Sequence, residues 1–218
     1  TQEQCAAQIN VARTTVTGIY DSARHKLADA LIHGKRLVIE GGQPLQPATG
    51  KIEVTEVFSY VCPACARFQP LISSWKAGLP SDVNFIYVPA MFGGYWDDYA
   101  RAFYAAEQVG VLKPSHAEVF TALHEKRSLP MQNVSPQELA TFYAGYGVAP
   151  QRYIDALRSE QVEAKVRVAR EFAMRVRVPG TPALIVNGKY LVRGKSFEEQ
   201  LRNADALIAR ERAAARRR

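Results

Sequence analysis

Residues 58–65 read FSYVCPAC. They close KIEVTEVFSY (51–60), a run dense in β-branched residues that predicts a strand. They also open ACARFQPLISSWKAGL (64–79), where Phe68, Leu71, Ile72, Trp75 and Leu79 recur at helical spacing. Pro63 suits the first position of that helix, and Pro70 is expected to kink it. Two of the three cysteines in the chain thus stand where a strand hands over to a helix.

Downstream, the turn Leu79-Pro80-Ser81-Asp82 leads into a second apolar strand pattern, VNFIYVPAMF (83–92). From about 95 to 176 only helical periodicity is found, broken at Pro114, Pro130, Pro136 and Pro150. Ser135-Pro136-Gln137-Glu138 reads as a helix start, with a cap, a proline at the first position and Glu at the third. Strand patterning returns in TPALIVNGKYLV (181–192), where Asn187-Gly188 between apolar runs signals a hairpin. An amphipathic helix over 196–212 follows. Upstream, GGQPLQPATG (41–50) has linker chemistry, and a helix over Val16–Leu31, ended by Gly34, is the main pattern before it. The order strand, helix, strand, helices, hairpin, helix describes an α/β domain interrupted by a helical insertion.

The apolar fraction of 47% and charged fraction of 22% are those of an ordinary globular chain. No apolar run is long enough to cross a membrane. There is no initiator Met and no charged-then-apolar leader, so the sequence is expected either to lack a signal peptide or to begin after its removal. Net charge is +7, but residues 210–218 hold five Arg against one Glu, leaving only +3 for the rest. That distribution argues against a nucleic-acid face on the body of the protein. Cys5, in TQEQCAAQ, is read as a spare thiol, since TQEQ lacks the small apolar residues expected before a lipidated cysteine.

Three uses for the pair Cys62–Cys65 can be weighed. A closed zinc site needs four ligands, and His25, His33, His116 and His124 form no second pair at short spacing. A structural staple across two residues would contribute little, because loop-closure entropy grows with loop length. A redox centre has a physical basis. Cys62 lies at or beside the helix N-cap, where unpaired N–H groups and the positive dipole end favour a thiolate. Cys65, one turn on, can attack a mixed disulfide formed at Cys62 and release the partner.

Two further features bear on this. Ile52, Val54, Glu56 and Phe58 alternate onto one strand face, so Glu56 is either an exposed side chain or a buried carboxylate with a raised pKa able to serve Cys65. Gly180-Thr181-Pro182 places a proline at a strand's first residue, where its missing donor does no harm.

Taken together, FSYVCPAC, a carboxylate six residues before its first cysteine, TPALIVNGKYLV and the helical block between them resemble the DsbA family. The similarity covers about residues 36–210. The family is that of the thioredoxin-fold thiol:disulfide oxidases of the Gram-negative periplasm. The resemblance implies a thioredoxin-like fold with an inserted all-helical domain. Its thioredoxin-like part would comprise 36–94 and 166–212 and its insertion 95–165, with 1–35 an N-terminal extension and 213–218 an Arg-rich tail. It implies that Cys62 is the exposed nucleophile, Cys65 the buried resolving thiol, Glu56 the buried acid and Thr181-Pro182 a cis-proline loop facing the disulfide. Thr181, Pro182, Pro63 and Ala64 would contact a bound peptide, in the manner of strand addition. The redox-active Cys62–Cys65 disulfide would serve with no cofactor and no metal. Partners would be folding secreted polypeptides and a DsbB-type, quinone-linked membrane reoxidase, with no nucleic acid. The protein would be a periplasmic monomer, any signal peptide having been removed.

The chain also departs from the family pattern. The familiar enterobacterial motif is CPHC, so CPAC implies a less depressed pKa at Cys62. Phe85 stands where a lysine would align near the buried acid, leaving Glu56 without that partner. Phe58, Tyr60, Met91, Phe92, Tyr95 and Trp96 are candidates for an apolar surface near the pair. A dithiol isomerase or reductase, and a redox-inert peptide-binding module, are the competing functional readings.

Overall fold

In the computed structural model the residues described are Glu3, 12–32 and 42–216. The chain falls into two units, Thr1–Ile39 and Glu40–Arg218. In the first, helix α1 spans Arg13–Ile32, and Arg13 pairs with Glu3 at 3.1 Å. Cys5 and Gly34 lie outside the described residues.

The second unit begins with strand β1 (Ile52–Phe58), helix α2 (Pro63–Ala77) and strand β2 (Val83–Pro89). Helices α3 (Tyr95–Gln108) and α4 (Leu112–Phe120) follow, and α4 runs into a π turn, Thr121–Glu125. Next come α5 (Pro136–Ala144), α6 (Pro150–Leu157) and α7 (Glu160–Arg175). Strands β3 (Ala183–Val186) and β4 (Tyr190–Leu191) and helix α8 (Phe197–Ala215) complete it. The helix α2 continues through Pro70 without interruption. Ser135 forms the anticipated capping box, its hydroxyl accepting from Glu138 N–H while the Glu138 carboxylate accepts from Ser135 N–H.

The sheet order is β2-β1-β3-β4, with β1 parallel to β2 and antiparallel to β3. β1 is central, and all seven of its residues are buried, which explains its near-continuous apolar character. Asn187 and Gly188 turn β3 into β4 with φ of 50° and 64°, the left-handed pair that a two-residue hairpin needs. One core packs Ile52, Val54, Leu184 and Val186 against Phe68 and Ile72 of α2 and Leu201 and Ile208 of α8. The other takes Val57, Val88 and Ile185 from the opposite sheet face. It continues through Phe58 and Tyr60 among Phe103, Phe120, Tyr143 and Phe172 of the helices. Each fully buried apolar side chain contributes about 1.5–3 kcal/mol. The cysteine-bearing turn sits at the C-terminal end of β1, within the core that the helices share.

Candidate active site

The turn after β1 is built so that a sulfur, not an oxygen, caps the helix. Cys62 is the N-cap of α2 in an extended conformation (φ −86°, ψ 116°), and Pro63 follows where a helix tolerates a missing N–H. The Cys62 Sγ accepts from the backbone N–H of Cys65 at 3.4 Å and lies 3.5 Å from the Thr181 carbonyl oxygen. The Thr181–Pro182 bond is cis. The loop preceding β3 thus faces the cysteine pair across the top of the sheet. Cys62 is only 6% exposed and Cys65 only 1%, so the expected exposed nucleophile is the more accessible of two largely covered thiols.

Their electrostatics diverge. The Cys62 thiol is lowered to about 5, chiefly by the hydrogen bond from the Cys65 thiol; burial opposes this, and the backbone N–H groups of Cys65 and Ala64 assist. The Cys65 thiol is pushed far up, first by burial and then by the hydrogen bond and charge at Cys62. One sulfur is therefore a thiolate at neutral pH and the other is a thiol.

Glu56 is 1% exposed, which excludes the exposed alternative, and its Oε2 finds no hydrogen-bond partner among the described residues. Burial pushes its carboxyl up to about 8 against the pull of Lys76, and the Cys62 charge adds to the rise. With Phe at position 85, Glu56 has no lysine from β2, and the cation that acts on it comes from α2 instead. Lys76 is itself lowered by burial, with Glu56 opposing, and its ammonium lies 4.5 Å from the Tyr87 ring centroid and 5.4 Å from that of Phe85. Its place on the helix agrees with this. Lys76 follows Cys65 by eleven residues, almost exactly three helical turns, and so lies on the same face of α2.

Other residues escaped sequence reading. Glu53, on the opposite face of β1, is a second buried carboxylate. It is fully engaged, accepting from Leu45 N–H (2.7 Å), Gln46 N–H (2.6 Å) and the Thr55 hydroxyl (3.1 Å). Two histidines dismissed as metal ligands close on Tyr60. His116 Nδ1 lies 2.8 Å from the Tyr60 hydroxyl, and His124 Nε2–H donates to the Tyr60 carbonyl at 2.7 Å. Burial, helped by the charge of Lys76, holds His116 down at about 3, so its ring is neutral.

The apolar-surface candidates divide. Phe58 and Tyr60 are core residues, each 1% exposed, because rings from Phe103, Phe120 and His116 surround them. Met91 is also buried. Phe92 is half exposed and packs on the partly exposed Trp96 at 5.1 Å between ring centroids. A cleft of about 550 Å³ on the cis-proline loop is lined by Thr181, Pro182, Leu191, Arg193 and Phe197, among others. Among the described residues no group of His, Cys, Asp or Glu could hold a metal ion, and no helix is long and apolar enough to cross a membrane.

A four-stranded sheet, an N-cap cysteine of low pKa backed by a buried thiol, and a cis-proline loop opposite define a thioredoxin-fold thiol:disulfide oxidoreductase. The comparisons narrow this class. Residues 82–204 match the DSBA-like thioredoxin domain. The thiol:disulfide interchange protein DsbA of Pseudomonas aeruginosa is 37% identical over 193 residues, covering 87% of this chain and 90% of the relative. That of Pseudomonas syringae is 42% identical over 171 residues, covering 77% and 78%. The crystal structure of oxidoreductase DsbA from Xylella fastidiosa superposes with a TM-score of 0.78 at 51% identity, covering 79% of this chain and 92% of that one. The chain belongs to the DsbA family, and it is a thiol:disulfide oxidoreductase. Residues 1–46 separately match a family of unknown function, DUF134.

Proposed function

We propose that this disulfide oxidase works through Cys62 as the attacked sulfur and Cys65 as the resolving one. In the oxidised protein a substrate thiolate attacks Cys62 Sγ, forming a mixed disulfide and breaking the Cys62–Cys65 bond. The sulfur of Cys65 leaves with the electron pair and takes a proton from Glu56, which is protonated at neutral pH. A second substrate thiolate then attacks the substrate sulfur of the mixed disulfide and expels Cys62 as a thiolate. The substrate loses two electrons to form its disulfide, and the protein gains them as Cys62 thiolate and Cys65 thiol. Low-pKa thiols leave faster, so the acidity of Cys62 drives the last step.

The observation that carries this reading is the N-cap geometry of Cys62, with its sulfur on the Cys65 N–H and Cys65 directly behind. Thr181 and Pro182 would offer backbone to an extended substrate in the manner of strand addition, with Pro63 and Ala64 bordering the contact. The partners are folding secreted polypeptides and a DsbB-type, quinone-linked reoxidase. The protein acts in the periplasm as a monomer, and no step calls on a metal or cofactor. We divide the chain into 36–94 and 166–212 as the thioredoxin-like part, 95–165 as the insertion, 1–35 as an extension and 213–218 as a tail.

The test is the equilibrium of Cys62–Cys65 with glutathione, in Cys5→Ser to remove the spare thiol. Reference potentials for this fold are about −120 mV for the oxidase and about −270 mV for thioredoxin, a gap of about 7 kcal/mol. A value near the upper reference is expected, and Ala64→His should raise it further. A value near the lower one would make the protein a reductant and sink the direction argued here.

A further inference from the structure

The residue two before the nucleophile is held at both ends. The Tyr60 hydroxyl meets His116 Nδ1 at 2.8 Å, and its carbonyl accepts from His124 Nε2–H at 2.7 Å. Tyr60 is 1% exposed, and Phe120, between the two histidines in sequence, packs on its ring with centroids 5.1 Å apart. His116, Phe120 and His124 therefore form one stripe at four-residue intervals. A regular α-helix advances 100° per residue, so each four-residue step overshoots by about 40° and a third member would swing off the stripe. The π turn Thr121–Glu125 corrects this. Its wider loop, closed by Lys126 N–H to the Thr121 carbonyl at 2.9 Å, turns less per residue and brings His124 back over Phe120, the rings nearly parallel at 28°. Such bulges recur at functional sites.

What this grip holds is the frame of the nucleophile. The chain from Ser59 to Cys62 is one tight turn, with Cys62 N–H donating to the Ser59 carbonyl at 3.2 Å. The contact that favours the Cys62 thiolate, the Cys65 N–H donating to Sγ at 3.4 Å, depends on where the turn holds the sulfur. We propose that His124, set by the π turn, is a positioning residue that fixes Tyr60 and through it the thiolate-stabilising geometry of Cys62, so that the inserted helices tune the nucleophile. The inference rests on Cys62 being the attacking thiol.

The experiment compares His124→Leu, which keeps bulk but has no donor, with His124→Gln, whose amide can donate to the Tyr60 carbonyl. The readouts are the thiolate absorbance titration of Cys62 and the equilibrium constant with glutathione, both in Cys5→Ser, with thermal unfolding as the control for folding. The expected result is that His124→Leu moves the Cys62 midpoint up by at least half a pH unit and makes the protein at least threefold less oxidising. His124→Gln should restore most of both. Should His124→Leu fail to fold, His124→Gln is compared with Tyr60→Phe, which frees the other end of the grip; Tyr60→Phe should then show the larger shift. An unchanged midpoint and equilibrium in a folded His124→Leu would overturn the inference, as would a His124→Gln equally impaired. If the parent thiol itself titrates in the ordinary range, the reading of Cys62 fails instead, and the two failures are told apart.

Discussion

At the residue scale, Glu56 and Cys62 are shifted in opposite directions, and each leaves a signature in stability. Glu56 has a folded pKa of about 8 against an ordinary 4.5. Its contribution is fully present below pH 4.5 and is lost as pH rises through 8, because the unfolded chain ionises the carboxyl freely and the folded one must bury the charge. Glu56→Gln removes this dependence. In the oxidised protein, where the cysteines do not titrate and the raising charge of Cys62 is absent, the variant should gain up to about 4 kcal/mol on the parent between pH 4.5 and 8.5. Urea unfolding at several pH values measures it, and parallel curves would mean that Glu56 is not held protonated. The cysteine pair and Glu56 stood out because each breaks a local rule: two thiols at a helix start, a carboxylate on an apolar strand face. The proline of 181–182 breaks none, since a strand's first residue suits it, and only the family resemblance singled it out. Nor did Lys76 or the histidines stand out. A lysine near a helix end and a lone histidine are ordinary in sequence, and only the packing of α2 and α4 gives them partners.

At the scale of elements, local signals were strong wherever they were covalently short-ranged: the capping box at Ser135, the hairpin at Asn187-Gly188, the strand-to-helix turn at Cys62. The π turn left no signal, since its residues, Thr121–Glu125, continue a helical pattern. The hairpin shows how much one turn residue can carry. Asn187 adopts φ 50°, its Oδ1 accepts from Glu53 N–H at 2.8 Å, and its Nδ2 donates to Glu211 at 2.5 Å. Alanine there bears about 1–2 kcal/mol of left-handed strain and leaves the Glu53 N–H unpaired at about 1–3 kcal/mol. Asn187→Ala should therefore cost about 2–5 kcal/mol in denaturant unfolding. Asn187→Gly should recover the conformational part, about 1 kcal/mol, and no more. Equal losses in the two variants would show that strain plays no part.

At the scale of the whole molecule, the reduced and oxidised forms have stabilities tied together by the acidity of Cys62. The folded thiol titrates at about 5 against 9.0 for the ordinary group. A depressed pKa gives stability that is fully present above the unfolded value, 9.0, and is lost as pH falls through 5. The disulfide form has no such proton to lose, so the effect belongs to the reduced protein alone, and reduction becomes more favourable as the thiolate forms. Between pH 5 and 7 the stability of the reduced protein relative to the oxidised one should rise by roughly 2 kcal/mol, a figure already discounted for solvent screening at the mouth of the site. Any loop-closure gain from the disulfide is independent of pH, so the slope, rather than the offset at one pH, isolates the thiolate. Unfolding both forms of Cys5→Ser from pH 4 to 8 measures it. A difference that stays flat across that window would mean that the N-cap geometry does not stabilise the thiolate, and the molecule would lose its physical reason to give up its disulfide.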